Sequence, residues 1–281
     1  MNCLYREKVY ICGEYLEAHI YPVFAVNKKT RRSRYKPSSE TQALLNQKNA
    51  ELYYTRLANA NFTSDDIKLE LTYNEEHLPA NEDEAVRNEY NFIRRYRRRA
   101  KKAGVTVVKY LAKIENGRFH HHIMITGGVS YKEIAELWAP FGYVRRIAPL
   151  MFDEKGINDI TLYFMKEKNA SRRCRVSKNM EKPAEIERTG RLSQKKVAEL
   201  ANNTSDYTAY SGLYKGYRLA EPALAFHNLF VERDYIVARY YREGANIYSN
   251  KPSYSRRRKD TNADDCTQTI EDSLFGAARD F

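Results

Sequence analysis

The segment Lys113 to Ile125 constrains the fold of this chain more than any other. It reads Lys-Ile-Glu-Asn-Gly-Arg-Phe-His-His-His-Ile-Met-Ile. An alternating apolar run leads into it, a second apolar run leaves it, and Asn116-Gly117 between them is a strong signal for a two-residue type I′ turn. The segment therefore predicts a tight antiparallel hairpin that carries three histidines.

Strand alternation sorts the side chains of this hairpin onto two faces. A turn made of Asn116 and Gly117 alone places Lys113 opposite His120 and Leu111 opposite His122. The predicted faces are then Glu115, His120 and His122 on one side, and Ile114, Phe119, His121 and Ile123 on the other. The middle histidine is thus expected to point away from its two neighbours.

Two imidazoles and a carboxylate on one face suit a divalent cation. Mn²⁺, Zn²⁺ and Fe²⁺ accept such a mixed nitrogen and oxygen set, and Mg²⁺ is accepted where positions stay open. The alternative is a half-buried strand whose histidines bind nothing. The face shared with Glu115, the otherwise apolar strand and a tyrosine motif downstream favour the metal site.

The composition indicates a globular protein with a polyanionic partner. The chain has 281 residues, 42% of them hydrophobic, a formal charge of +12 and 23 tyrosines. Nucleic acid is the first candidate partner and an anionic membrane surface a distant second. The four cysteines form no Cys-x-x-Cys pair, which argues against a zinc finger or a disulfide framework. With no signal peptide or membrane span in the sequence, a soluble protein of the cytoplasm is expected.

A basic helix is expected shortly before the hairpin. Residues Glu82 to Lys102 open with acidic side chains, which suit the positive end of a helix dipole, and close with many arginines. Their number exceeds what the negative end of the helix requires, so phosphate binding is preferred over a solvated face. The candidate DNA-binding residues of this helix are Arg94, Arg95, Arg97, Arg98 and Arg99.

A second stretch whose residues could take part in catalysis follows at Ile157 to Asn169, and its pattern predicts an amphipathic helix. Tyr163 and Lys166 lie one turn apart on it. A lysine beside a tyrosine can lower the effective pKa of the phenol and bind a phosphate, which is the general logic of an activated nucleophile. The basic residues Arg172, Arg173 and Arg175 come next and are candidates for holding a DNA strand.

The remaining chain divides by composition into flanking segments. We expect an N-terminal accessory region at 1–63, with a basic loop near Lys28 to Lys36 and a helix from Thr41 to Ala58. A central domain is expected at 64–185. A C-terminal accessory region at 186–281 would end in a flexible tail that begins at Asn250.

The order of these parts resembles the HUH endonucleases. The likeness rests on Leu-Thr-Tyr-Asn-Glu-Glu-His-Leu-Pro, then Glu115, then Arg-Phe-His-His-His-Ile-Met-Ile, then Tyr-Phe-Met-Lys ending at Lys166. It covers about 65 to 183. It is strongest toward rolling-circle replication initiators of small single-stranded DNA phages and bacterial plasmids, including the filamentous-phage gene II and microvirus types.

This resemblance implies a fold and an activity. The fold is α+β, with an RRM-like central antiparallel sheet, flanking helices and the metal site on the open face. His120, His122 and Glu115 would bind Mg²⁺ or Mn²⁺, Tyr163 would be the nucleophile and Lys166 would position phosphate. The usual middle residue of the histidine motif is apolar, whereas this chain has His121.

The expected function is therefore initiation of rolling-circle DNA replication. The enzyme would nick and rejoin single-stranded or hairpin origin DNA through a 5′-phosphotyrosine intermediate. Since the chain has no Gly-x-x-x-x-Gly-Lys-Ser/Thr loop, a helicase and a polymerase would come from the bacterial host cell. The alternatives are a relaxase or transposase of the same class, or a nucleic-acid-binding protein without enzymatic activity.

Overall fold

The computed structural model describes residues 3–24, 40–115, 117–157 and 174–245. Within this part of the chain, the contacts define two compact units. Unit 1 contains the described residues of Met1–Leu52 and Pro183–Asn246, and unit 2 those of Tyr53–Lys182. Helix α1 (Glu40–Asn61) contains the boundary. The expected loop at Lys28 to Lys36 and the tail from Asn250 lie outside the described residues.

Unit 1 joins an N-terminal and a C-terminal segment of the described chain, 3–24 and 184–242, in one antiparallel sheet. Its elements are β1 (Cys3–Cys12), β2 (Tyr15–Phe24), β8 (Ala184–Thr189), α4 (Gln194–Asn202), α5 (Tyr207–Ser211), β9 (Tyr217–Leu219), β10 (Leu224–Asn228) and β11 (Arg233–Arg242). The strand order is β10-β11-β2-β1-β8, and β9 pairs with β11. The two accessory regions predicted from the sequence thus contribute neighbouring strands, because β2 pairs with β11 and β1 with β8.

Unit 2 is a five-stranded antiparallel sheet with helices. Its elements are β3 (Ile67–Tyr73), α2 (Glu82–Lys102), β4 (Tyr110–Glu115), β5 (His120–Ile125), α3 (Tyr131–Trp138), β6 (Gly142–Pro149) and β7 (Cys174–Val176), with a short 3₁₀ turn at Glu75–His77. The strand order is β6-β3-β5-β4-β7. The predicted fold class, α+β with an antiparallel sheet and flanking helices, is confirmed.

One face of the unit 2 sheet is covered by α2 and α3. Every second residue of β3 is buried, and Leu69, Leu71 and Tyr73 form this face together with Ile123 and Ile125 of β5. The helices contribute a buried aromatic layer that includes Phe92, Tyr96 and Trp138. The Asn81 side chain caps the N-terminus of α2 by accepting a hydrogen bond from the Glu84 backbone N–H. Ser130 and Glu133 form a capping box on α3.

The opposite face of the same sheet is only partly covered by apolar residues. Leu111 of β4 and Met124 of β5 pack there against Ala58 and Phe62, at and just beyond the end of α1. Further along the same face, the strands carry glutamates, a lysine and histidines. The sheet therefore has one apolar face and one face that is half apolar and half polar.

The predicted two-residue hairpin turn is wrong in its register. Glu115 pairs with His120 and Lys113 pairs with His122, whereas a two-residue turn would pair Glu115 with Arg118. The longer turn lets Phe119 pack against the apolar core and lets Arg118 donate a hydrogen bond to the Tyr73 carbonyl at 3.3 Å. Gly117 has φ of +100°, a conformation that glycine adopts without strain. Since the register differs by two residues, every side chain stays on its predicted face.

None of the helices in the described ranges is both long and apolar enough to cross a membrane.

Candidate metal centre

Four side chains converge on the polar half of the open face of unit 2. The two carboxylates, Glu70 of β3 and Glu115 of β4, flank His120 and His122 of the central strand β5. Strand pairing brings them together, because Glu70 lies opposite His122 and Glu115 lies opposite His120. Side chains directly opposite each other on one face of a sheet are close neighbours.

The distances within this cluster fit one cation. One potential ligand atom from each of Glu70, His120 and His122 lies within 4.8 Å of the others. Glu115 also approaches both imidazoles, with Oε2 at 3.0 Å from His120 Nε2 and Oε1 at 3.6 Å from His122 Nε2. The cluster could therefore hold a divalent metal ion through two nitrogens and one or two carboxylates.

Each histidine has one feature that suits a metal ligand. His120 Nδ1 lies 2.9 Å from the Arg118 carbonyl oxygen. A carbonyl only accepts, so Nδ1–H of His120 donates to it, and Nε2 is the ring nitrogen that faces Glu115 and that a cation could use. Burial lowers the pKa of His122 to about 4, so that its ring is neutral near pH 7.

Glu70 is the site residue that the sequence did not reveal. It is one of the alternating, partly exposed positions of β3. In a half-buried strand a charged residue at such a position usually just faces solvent. A register irregularity lies between Glu70 and Leu71 in the pairing with β6, and Glu70 also receives a salt bridge from Arg145 at 3.0 Å. Such irregularities re-aim side chains at functional sites. Only the pairing of β3 with β5, which is not local in sequence, identifies Glu70 as a neighbour of His122.

Lys113 is a second residue of this face that no sequence motif indicated. It lies opposite His122 and is fully buried, and its ammonium is 4.0 Å from Glu115 Oε1. Strand alternation places it on the face of Glu115, which is the signal that could have identified it. Its positive charge balances part of the negative charge of the two carboxylates.

His121 points into the opposite, apolar face and is fully buried. Its Nδ1 lies 2.9 Å from Glu89 Oε2, and its Nε2 lies 2.8 Å from the Tyr73 hydroxyl. Because a carboxylate only accepts, Nδ1–H donates to Glu89, and Nε2 shares a hydrogen bond with the Tyr73 hydroxyl. Both nitrogens of His121 are thus occupied on the side of the sheet away from the metal centre.

Glu89 links His121 to Arg175 of β7. Arg175 Nε donates to Glu89 Oε1 at 2.8 Å and Nη2 donates to Oε2 at 2.5 Å. Burial alone would raise the pKa of Glu89, but His121 and Arg175 hold it below its usual value. Arg175, a candidate DNA-binding residue, therefore forms a bidentate ion pair with Glu89 on the face of the sheet that α2 covers.

The predicted DNA-binding arginines of α2 fall into two groups. Arg95 stacks over the Phe141 ring at 5.1 Å from its centroid, and Arg99 forms a 3.1 Å salt bridge with Glu133. The solvent-exposed members are Arg94, Arg97 and Arg98. Tyr163, Lys166, Arg172 and Arg173 lie outside the described residues, so their roles stay predictions.

Comparison of the chain with models of protein families, with curated proteins and with solved structures found no match. The site belongs to the class of candidate divalent-metal centres on an antiparallel sheet: Glu70, His120 and His122 are close enough to hold one ion, and Glu115 lies beside both histidines.

Proposed function

We propose that this chain is a metal-dependent DNA endonuclease and strand transferase of the HUH class that initiates rolling-circle replication. One observation carries the proposal. His120 and His122 face two carboxylates on an open sheet face, whereas His121 is withdrawn into the core. This separation is what a His-x-His metal motif on a strand requires, and it is combined with the downstream tyrosine and lysine of the sequence.

The residues of the cluster suit a bound Mn²⁺ or Mg²⁺. Mn²⁺ accepts imidazole and carboxylate together, and Mg²⁺ would use the carboxylates and keep several waters. Such a cation supplies charge stabilisation at a phosphoryl oxygen of the scissile phosphodiester. Glu70, Glu115, His120 and His122 would fix its position on the sheet face, and Lys113 would add positive charge next to it.

Tyr163 is the proposed nucleophile. Its phenol oxygen forms a bond to phosphorus while the bond from phosphorus to the 3′ oxygen breaks, and the proton of the phenol is transferred to the leaving 3′ oxygen. The product is a 5′-phosphotyrosine and a free 3′-hydroxyl, which a host polymerase could extend after a host helicase opens the duplex. Attack by a 3′-hydroxyl on the phosphotyrosine reverses the step and rejoins the strand without an added energy source.

Trapping of the covalent adduct tests this function. A pool of single-stranded DNA that includes phage and plasmid origin sequences is incubated with the protein and Mn²⁺ and is then separated under denaturing conditions. DNA labelled at its 3′ end is expected to transfer its label to the protein, whereas a 5′ label is expected to appear on a shorter free fragment. Chelation of the metal and Tyr163→Phe should each abolish the labelled protein.

Tyr207→Phe is the matched control, because Tyr207 is an exposed tyrosine in unit 1. It should form the adduct at the rate of the unaltered protein. An adduct that persists in Tyr163→Phe would refute the assigned nucleophile. Absence of any adduct across the pool, with DNA binding intact, would refute the enzyme and favour a protein that only binds nucleic acid.

A further inference from the structure

The outward side of α2 carries a continuous stripe of positive charge. We call the exposed residues Arg87, Arg94, Arg97, Arg98, Lys101 and Lys102 the outer α2 stripe. From Arg87 to Lys102 the chain contains one acidic residue, Glu89, and that residue is buried on the inward side. The stripe therefore presents cations with no carboxylate of its own helix among them.

This charge pattern opposes helix stability. Positive residues recur at spacings of three and four along the stripe, for example at Arg94, Arg98 and Lys101. Each like-charged pair at that spacing costs about 0.2–0.5 kcal/mol, whereas an ordinary solvated helix gains a similar amount from alternating charges. The negative end of the helix dipole favours cations only in the last turn and leaves Arg87 and Arg94 unexplained. An anionic ligand would turn this repulsion into attraction.

A groove adjoins the C-terminal end of the stripe. Arg97 and Lys101 lie on its rim, the chain segment 105–108 and Asn179 complete it, and its volume is about 300 Å³. The side chain of Val107 is 54% exposed there. Apolar surface from Val105, Val107 and Val108 beside these cations suits a sugar or a base whose neighbouring phosphates contact Arg97 and Lys101, which is the combination seen where proteins follow a nucleic-acid strand.

The stripe and the metal centre lie on opposite sides of unit 2. The inward side of α2 contacts His121 through Glu89, and His121 occupies the face opposite His120 and His122. The stripe lies on the side of α2 that faces away from the sheet. The sheet and a helix about 10–12 Å in diameter therefore separate it from the metal centre. A phosphate held at the metal centre cannot also contact the stripe.

We propose that the outer α2 stripe is a second nucleic-acid-binding surface, which holds the phosphate backbone of DNA that flanks the cleaved site. It rests on the proposed function in taking DNA as the polyanion. The stripe increases the affinity of the protein for DNA outside the reactive segment, and it takes no part in the chemistry at the sheet face.

The test compares three variants in a binding assay without metal. The stripe variant is Arg87→Gln, Arg94→Gln and Arg98→Gln together. The matched control removes the same charge from exposed positions of unit 1, as Arg188→Gln, Lys195→Gln and Lys215→Gln. The third variant replaces the three stripe arginines by lysine and so keeps the charge. The probe is fluorescein-labelled oligothymidine of about 40 nucleotides, long enough to exceed the roughly 4–16 nucleotides that one single-strand-binding fold covers.

The stripe variant is expected to lose at least about tenfold in affinity, and the slope of log affinity against log salt should become shallower by about 2 for three lost phosphate contacts. The unit 1 control and the lysine variant should stay near the unaltered protein. Equal losses in the stripe variant and the control would overturn the proposal, since only net charge would then matter. Binding to phosphatidylserine vesicles that depends on the stripe while oligothymidine binding does not would also overturn it.

Two further readouts separate this proposal from the proposed function. The Mn²⁺ affinity of the stripe variant should equal that of the unaltered protein, and a loss of Mn²⁺ binding would overturn the placement of the stripe away from the metal centre. Because the binding assay needs no cleavage, a chain that forms no adduct but binds DNA through the stripe would refute nicking alone. A chain that forms the adduct while the stripe variant binds normally would refute the stripe alone.

Discussion

His121 and His122 are neighbours in one strand and have opposite environments. His122 faces two carboxylates on the open side of the sheet, and burial holds its pKa at about 4. His121 lies in the core on the other side, where Tyr73 and Glu89 occupy both of its nitrogens. Residue type alone does not distinguish them. Strand alternation decides which imidazole can be a ligand, and the partners that arrive from other elements decide what each one does.

The two faces of the unit 2 sheet each bury a cluster of ionisable side chains, and they do so in different ways. On the inner side, Glu89, His121 and Arg175 satisfy one another through hydrogen bonds and an ion pair, which makes the network sensitive to loss of any member. On the open side, Glu70 lies opposite His122 and Glu115 lies opposite His120. A cation bound between these four side chains would stabilise the cluster more than any contact within it. The inner network is therefore expected to contribute stability and the outer cluster to contribute binding.

Glu89→Leu should have the largest effect on stability. It leaves Arg175 without its bidentate partner and His121 without its acceptor, and breaking a buried ion pair in this way costs about 3–5 kcal/mol. Glu115→Gln on the other face should change the free energy of unfolding by less than about 1 kcal/mol in metal-free protein. Urea unfolding measures both, with exposed Glu136→Leu of α3 as the control. Equal losses in Glu89→Leu and Glu115→Gln would contradict the assigned division of roles.

The pH dependence of stability should separate the two faces in chelator-treated protein. The pKa of His122 is lowered from 6.5 to about 4, so the unfolded chain binds the extra proton first and stability falls as pH drops from 6.5 to about 4. The pKa of Glu89 is lowered from 4.5, so its contribution is present above that pH and is lost as pH falls further. Each contributes a slope of at most about 1.4 kcal/mol per pH unit.

Two variants assign these slopes to residues in chemical unfolding measured at a series of pH values. His122→Phe should flatten the curve between pH 6.5 and 4, and Glu89→Leu should flatten it below 4.5. The assignment fails if His122→Phe leaves the upper slope intact, or if both variants remove the same slope.

Tyr73→Phe should have a smaller effect, confined to the inner network. It removes the hydroxyl that is hydrogen-bonded to His121 and should cost about 1–2 kcal/mol, since a buried polar group loses its partner. The Mn²⁺ affinity, measured by calorimetry, should stay within about twofold of the unaltered protein. A large drop in Mn²⁺ affinity would show that the two faces of β5 are not independent.

The sequence predicted those features that depend on local periodicity. Alternation along β5 separated His121 from His120 and His122 and placed Glu115 with the latter. That assignment survived an error in the hairpin turn because the register differed by an even number of residues. The helix at Glu82–Lys102 also follows from its own charge pattern, acidic at its start and basic at its end.

Features that depend on distant pairing were not predicted. Glu70 joins the candidate site through the register of β3 on β5, and Glu89 meets His121 through the packing of α2 on the sheet. Unit 1 is a sheet in which Val9 pairs with Ile186, across most of the chain. None of these contacts leaves a pattern in a short window of sequence, since the partner residues are selected by the fold.

Calorimetric titration of the protein with Mn²⁺ tests the central claim most directly, because it asks which histidines are ligands. His120→Ala and His122→Ala should each weaken Mn²⁺ binding at least about tenfold, which is the lower end of the loss seen even for residues that only support metal ligands. His121→Leu should leave the affinity within about threefold. Weakening by His121→Leu equal to that by His122→Ala, or unchanged binding in both His120→Ala and His122→Ala, would contradict the assignment of the metal centre to the open face of the sheet.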